Sequence, residues 1–171
     1  ERISSFKTPN KVLAVVKIPQ EKSVICGNLI VALNTVKDPG NLGAIIRLAE
    51  WFGVQHILCS EDCVDLYNSK VVQATMGSII RVQVHYVNLK STFRSMNDYT
   101  VCAAVMDGES VFNIKKSDKR IVLMGSESHG LSQDLLDLAH QKITVPKFKN
   151  AQAESLNVAN ACGIILSQLT N

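Results

Sequence analysis

No stretch of this chain strings together the ~18 to 20 uninterrupted apolar residues that a membrane span needs, and Glu1 to Lys7 lack the apolar core of a signal peptide. Both absences point to a cytosolic protein without a membrane partner. Cysteine is sparse and odd in number, with Cys26, Cys59, Cys63, Cys102 and Cys162 set in apolar segments and no Cys-x-x-Cys pair among them. A disulfide framework or a zinc site is therefore not expected, and most of these residues read as small buried hydrophobes. Cys, His and carboxylate groups also lack a metal-ligand spacing, so no metal is expected. Internal repeats and low-complexity tracts are missing as well. What is present, 46% hydrophobic and 19% charged residues in 171, matches one globular domain with enough apolar material for a core. The net charge of +3 is compatible with an RNA partner without requiring one.

Familiar catalytic and nucleotide motifs fail. Gly125-Ser-Glu-Ser-His-Gly130 has the glycine spacing of a phosphate-binding loop, but Leu131-Ser132 stand where the gripping Lys and Ser/Thr belong. The same stretch lacks the first glycine of a Gly-x-Ser-x-Gly elbow, because position 126 is Ser, and no Gly-x-Gly-x-x-Gly follows the early strands. ATP hydrolysis, serine hydrolysis and dinucleotide chemistry all lose support.

Strand and helix patterns alternate along the chain. Val12 to Ile18 and Leu29 to Leu33 are continuous apolar runs of strand length, as expected for strands buried on both faces. Leu42, Ile45, Ile46, Ala49 and Phe52 fall at helical spacing after Asp38-Pro-Gly-Asn41, Gly53 closes that helix, and Gln55 to Cys59 follows as a strand. Further on, the pattern predicts helices over 69–75, 89–96 and 133–139 and strands over 81–85, 100–105, 121–124 and 143–145. The alternation predicts a three-layer α/β domain with a mostly parallel sheet, whose ligand site lies outside the carboxyl ends of the strands. Residues 1–11 are polar with Pro9 and read as a linker, leaving 12–171 as the domain.

One stretch looks like a site. Ile143 to Val145 is a short β-branched strand stopped by Pro146; a polar loop follows, and Ser155 is placed to cap a helix carrying Val158, Ala161, Ile164, Ile165 and Leu169. Helix-start N–H groups and the short polar side chains of Ser155, Asn157 and Asn160 converge there.

Three ordered stretches carry a family resemblance. Asn34 to Arg47 with Leu48 to Gly53, Val122 to Ser132, and Ile143 to Pro146 with Ser155 to Val158 resemble the three motifs of the SpoU (TrmH-like) branch of the SPOUT RNA methyltransferases. The resemblance covers the chain from about Thr8 to its end. It implies a deep C-terminal trefoil knot, an exception to the rule against threaded chains, a homodimer, and transfer of a methyl group from S-adenosylmethionine to a ribose 2′-hydroxyl of rRNA or tRNA. It further implies a cofactor pocket lined by Gly125, Val145 and Leu156, with Leu123, Met124, Ile143 and Pro146 as walls. Asn41, Arg47, Glu127, Ser155 and Asn157 match the family's polar catalytic positions. Arg47 matches the family's proposed base, yet a guanidinium stays protonated, so binding of the phosphate beside the target ribose is an equal role for it. An RNA-binding or ribosome-assembly module of the same fold, without turnover, is the alternative.

The chain also departs from the family. Val145-Pro-Lys147 replaces the usual Ile-Pro-Met, and Phe148 to Glu154 forms a longer loop than relatives carry. Lys37, Lys147 and Lys149 are candidate phosphate contacts, and many relatives add an amino-terminal RNA-binding domain.

Overall fold

The structure, a computed structural model, describes residues 14–18, 25–114, 119–126 and 129–170. Its sheet has six parallel strands: β1 (Leu29–Leu33), β2 (His56–Cys59), β3 (Gln83–Tyr86), β4 (Thr100–Ser110), β5 (Arg120–Met124) and β6 (Gln141–Thr144). They lie in the order β3-β2-β1-β5-β4-β6. Runs such as Leu29 to Leu33 and Arg120 to Met124 lack alternation because both of their faces are covered.

Alternate side chains reach two separate cores. Val31, Leu33, Ile57, Val122 and Met124 pack with Leu42, Ile45, Ile46 and Ala49 of α1 (Pro39–Trp51) and with Cys162, Ile165 and Leu166 of α5 (Val158–Thr170). Val71 of α2 (Ser69–Ala74) joins the same layer. On the other face, Ile30, Ala32, Leu58, Ile121 and Leu123 meet Leu89 and Phe93 of α3 (Leu89–Ser95) and Leu135 of α4 (Gln133–Leu136). Helices on both faces of one sheet make the three layers that the alternating pattern predicts. Four cysteines, Cys59, Cys63, Cys102 and Cys162, are buried, while Cys26 is exposed; all five are free thiols.

The start of α1 is fixed locally. Asp38 accepts from the Asn41 N–H at 2.8 Å, and Pro39 occupies the first turn, where its missing N–H costs nothing. Gly53, at φ 73°, ends the helix in the left-handed region.

Three expectations need correction. Within the apolar run Val12 to Ile18, residues 14–18 are exposed and outside the sheet, and 12 and 13 lie outside the described residues. The inner places beside β1 are taken by β2 and β5, so this run finds no ladder there. Strand β4 runs to Ser110 rather than Val105, because its distal part, Glu109 and Ser110, pairs with Ile143 and Thr144 of β6. Helix α4 ends at Leu136 instead of Ala139.

Candidate active site

The carboxyl ends of β4, β5 and β6 enclose one cavity of about 550 Å³. Its walls come from Ala104 to Met106 after the first pairing of β4, from Met124 to Ser126, and from Ile143 to Phe148. The chain from Ala151 through Leu156 closes one side, and Val158, Ala161 and Ile165 of α5 form the floor. A volume in this range suits a small organic ligand.

Backbone crowding shapes this cavity. A Cβ on Gly125 would fall 2.4 Å from the Gly130 carbonyl carbon, so only glycine lets the two segments touch. There Ser126 and Gly130 exchange backbone hydrogen bonds of 3.2 and 2.9 Å, and the Ser126 hydroxyl accepts from the His129 N–H at 3.1 Å. The loop after β5 is thereby folded back on itself. Across the cavity, Ile143 is paired with both Ala104 and Glu109, and Gly108 lies so close to β6 that a Cβ would sit 2.6 Å from the Ile143 backbone.

Two helix starts meet at the polar side of the site. Asn157 caps α5, its Oδ1 accepting from the N–H groups of Ala159 at 3.0 Å and Asn160 at 3.3 Å. That commits the oxygen to the helix and turns the amide NH₂ outward. Nδ2 then donates to Oδ1 of Asn41 at 2.9 Å, joining residues 116 apart in sequence. The sequence pattern nominates Ser155 as the cap, but the cap is Asn157, because the helix begins only at Val158; Ser155 lies two residues before Asn157, exposed in the cavity lining.

A second polar cluster holds the loop between β1 and α1. Thr35 takes the left-handed conformation at φ 58°, unusual for a β-branched residue. Its N–H donates to Ser60 Oγ at 2.8 Å and its hydroxyl to Asp62 Oδ2 at 2.8 Å, while Ser60 Oγ donates to Asp62 Oδ1 at 2.5 Å. The Ser60 bond, and after it the Thr35 bond, hold the Asp62 carboxyl below the usual carboxylate range. The Val36 N–H donates to Cys63 Sγ at 3.3 Å. Cys59 and Ser60 hydrogen bonds pull the Cys63 thiol down, and the Cys59 thiol is correspondingly pushed up.

Of the residues that the sequence nominates, Met124, Gly125, Ile143, Val145, Pro146, Ser155 and Leu156 line the cavity. Leu123 does not: it is fully buried in the opposite core, because its side chain leaves β5 on the other face from Met124. Asn41 and Asn157 meet beside the cavity. Arg47 is exposed on α1 and outside the lining. Six residues carry it about 9 Å and roughly 240° around the helix from Asn41, so the two do not share a face. Glu127 lies outside the described residues. The sequence reading missed Ala104, Val105, Met106, Phe148, Ala151 and Ala153. The rule that ligands sit beyond strand carboxyl ends was the signal for the first three.

Among the described residues, no helix is long and apolar enough to cross a membrane. Residues 28–167 match the SpoU rRNA Methylase family. The chain is 29% identical over 170 residues to the 23S rRNA (guanosine(2553)-2′-O)-methyltransferase RlmP of Bacillus subtilis, covering 98% of this chain and 67% of that one. A TrmH-family protein from Porphyromonas gingivalis superposes with a TM-score of 0.81 at 33% identity, over 88% of this chain and 62% of that one. An AdoMet-bound rRNA methyltransferase from Sinorhizobium meliloti gives 0.78 at 34% identity, over 84% and 56%. The chain thus spans between about half and two thirds of the length of these relatives.

Proposed function

The chain belongs to the SpoU rRNA Methylase family, and from that premise we propose that it transfers a methyl group from S-adenosylmethionine to a ribose 2′-hydroxyl of rRNA or tRNA. The observation that carries this reading is the joining of the first and third motifs by Asn157 and Asn41 beside a cavity built from the second and third. A fold alone would not require that junction.

The cavity suits the cofactor chemically. Its walls are mostly apolar, and the backbone of Gly125 and of Val145 to Lys147 at the lining would hydrogen-bond an adenosine and an amino-acid carboxylate. Bound there, S-adenosylmethionine supplies a methyl carbon already activated on a sulfonium. The protein's share is to align the ribose oxygen with that carbon and to accommodate its proton. Asn41, oriented by Asn157, would hydrogen-bond the ribose or the adjoining phosphate, and Ser155 would add a donor from the cavity side. Glu127 would orient Arg47, whose guanidinium fork fits the phosphate beside the target ribose better than it fits proton abstraction.

Two features of the family enter as parts of the same proposal. Double pairing of Ile143, with Ala104 on one stretch of β4 and Glu109 on another, supports a C-terminal segment threaded through the loop at 105–108, as a trefoil knot requires. The exposure of Arg47, away from the cavity lining of its own chain, supports a homodimer packed through α1 and α5 that completes the site. The experiment is to incubate the chain with methyl-labelled S-adenosylmethionine and total RNA. We expect labelled RNA from the native chain and at least about 100-fold less from Arg47→Lys, with cofactor affinity kept. Cofactor binding without any RNA product would favour a module that binds RNA without turnover.

A further inference from the structure

Immediately past the wall made by Pro146 and Lys147, the chain presents a large aromatic ring. Phe148 lines the cavity yet is 78% exposed. A turn closed by the Ala151 N–H donating to the Phe148 carbonyl at 3.0 Å holds the ring's backbone in place and brings Ala151 and Ala153 to the same rim. Lys147 and Lys149, both exposed, flank the ring in sequence, and Glu154 is the acidic residue of the lining.

A phenyl ring left mostly in water at the mouth of a ligand cavity offers a π-face on which a flat partner can stack. Its setting says which kind. Buried cores of protein interfaces are depleted in lysine, whereas an aromatic ring bracketed by cations suits a stacked base with its phosphates on either side. Duplex RNA hides its base faces in the helical stack, so only an unpaired or splayed nucleotide can offer one.

We propose that Phe148 is a stacking platform for an unpaired nucleobase of the RNA substrate, with Lys147 and Lys149 holding the phosphates beside it. This rests on the RNA methyltransferase reading and specifies the substrate as a loop, bulge or single-stranded end. It also gives the long loop Phe148 to Glu154 a function: the loop selects unpaired RNA at the entrance to the methyl-transfer cavity.

The test measures binding of a fluorescent single-stranded RNA oligonucleotide of mixed sequence, of a perfect RNA duplex of the same composition, and of S-adenosylmethionine, to the full chain and its variants. Phe148→Leu weakens single-strand binding by roughly 5- to 150-fold, the range that one base stack commands. Phe148→Trp restores it, while duplex binding does not change. With RNA as substrate, Phe148→Leu raises KM for RNA by a larger factor than it lowers kcat. Weaker cofactor binding with unchanged RNA binding would overturn the proposal in favour of an adenine platform. A changed oligomeric state of Phe148→Leu in size-exclusion chromatography would overturn it in favour of a second copy covering the ring. If the native chain binds RNA and Phe148→Leu binds it equally well, this inference alone falls. If the native chain binds no RNA, the methyltransferase reading falls with it.

Discussion

Asn157 Nδ2 donates to Asn41 Oδ1 over 2.9 Å, and this one bond ties the N-terminus of α5 to the N-terminus of α1. The direction of that bond is set by the cap. Because Asn157 Oδ1 serves the N–H groups of Ala159 and Asn160, its amide can only donate toward Asn41. An aspartate at this position would keep the cap and lose the donor. We therefore expect Asn157→Asp to retain the thermal midpoint and lose most methyl transfer. Asn157→Ala should cost about 1 to 2 kcal/mol of stability as well, a drop of about 2 to 8 °C for a domain of this size. Calorimetry and turnover on the two variants separate capping from positioning; a fully active Asn157→Asp would show that the bond to Asn41 has no part in the chemistry.

Asp62 makes the loop before α1 sensitive to pH. Its folded pKa is lowered, first by Ser60 and then by Thr35, so its stabilisation is fully present above the unfolded value of ~3.9 and is lost as pH falls through the folded value. Asp62→Asn should accordingly lower the melting temperature at pH 7, by about 2 to 4 °C for a loss near 1 kcal/mol at this exposed site. The gap between native and variant closes as pH drops below ~4. Melting curves across pH 3 to 7 check this, and a pH-independent gap would assign the effect to packing.

Gly125 is the tightest point in the cavity wall. A methyl group there would overlap Gly130 at 2.4 Å, and the loop after β5 would have to open. Overpacking of this kind costs typically about 1 to 3 kcal/mol. Gly125→Ala should leave the chain folded, by circular dichroism, and weaken S-adenosylmethionine binding by at least about tenfold, since 1.4 kcal/mol is a factor of ten. Unchanged affinity in titration calorimetry would show that the cofactor does not use this wall.

Leu123 and its neighbour Met124 should behave differently although they are adjacent. Leu123→Ala opens the core under α3 and α4 and should cost about 2 to 5 kcal/mol, with cofactor affinity of the folded fraction preserved. Met124→Ala should weaken cofactor binding as well, because Met124 lines the cavity. Equal cofactor losses for both would contradict the assignment of faces.

These contrasts mark how far the sequence could be read. Leu29 to Leu33 and the helix from Leu42 to Ala49 were legible because a doubly covered strand and an amphipathic helix each write a local pattern. The same doubly covered strand hides which residues face the ligand: Arg120 to Met124 has no alternation, so Leu123 and Met124 were indistinguishable. The run Val12 to Ile18 carried a strand's composition, but a strand also needs a free ladder, which no local pattern encodes. The end of β4 failed in the opposite sense. Met106-Asp-Gly-Glu109 is too polar to announce a strand, and its pairing depends on β6, more than thirty residues later. Ser155 and Asn157 are equally good caps in isolation, and no local pattern tells that the helix begins at Val158, where Asn157 both caps it and reaches Asn41.

The position of the transferred methyl group on the RNA distinguishes ribose from base methylation. RNA labelled by the native chain from methyl-labelled S-adenosylmethionine is hydrolysed in alkali, which cleaves each phosphodiester through the neighbouring 2′-hydroxyl. A 2′-O-methyl group blocks that attack. Label is expected in alkali-resistant dinucleotides, absent when Arg47→Lys is used; label in mononucleotides would place the methyl on a base and rule out transfer to the ribose.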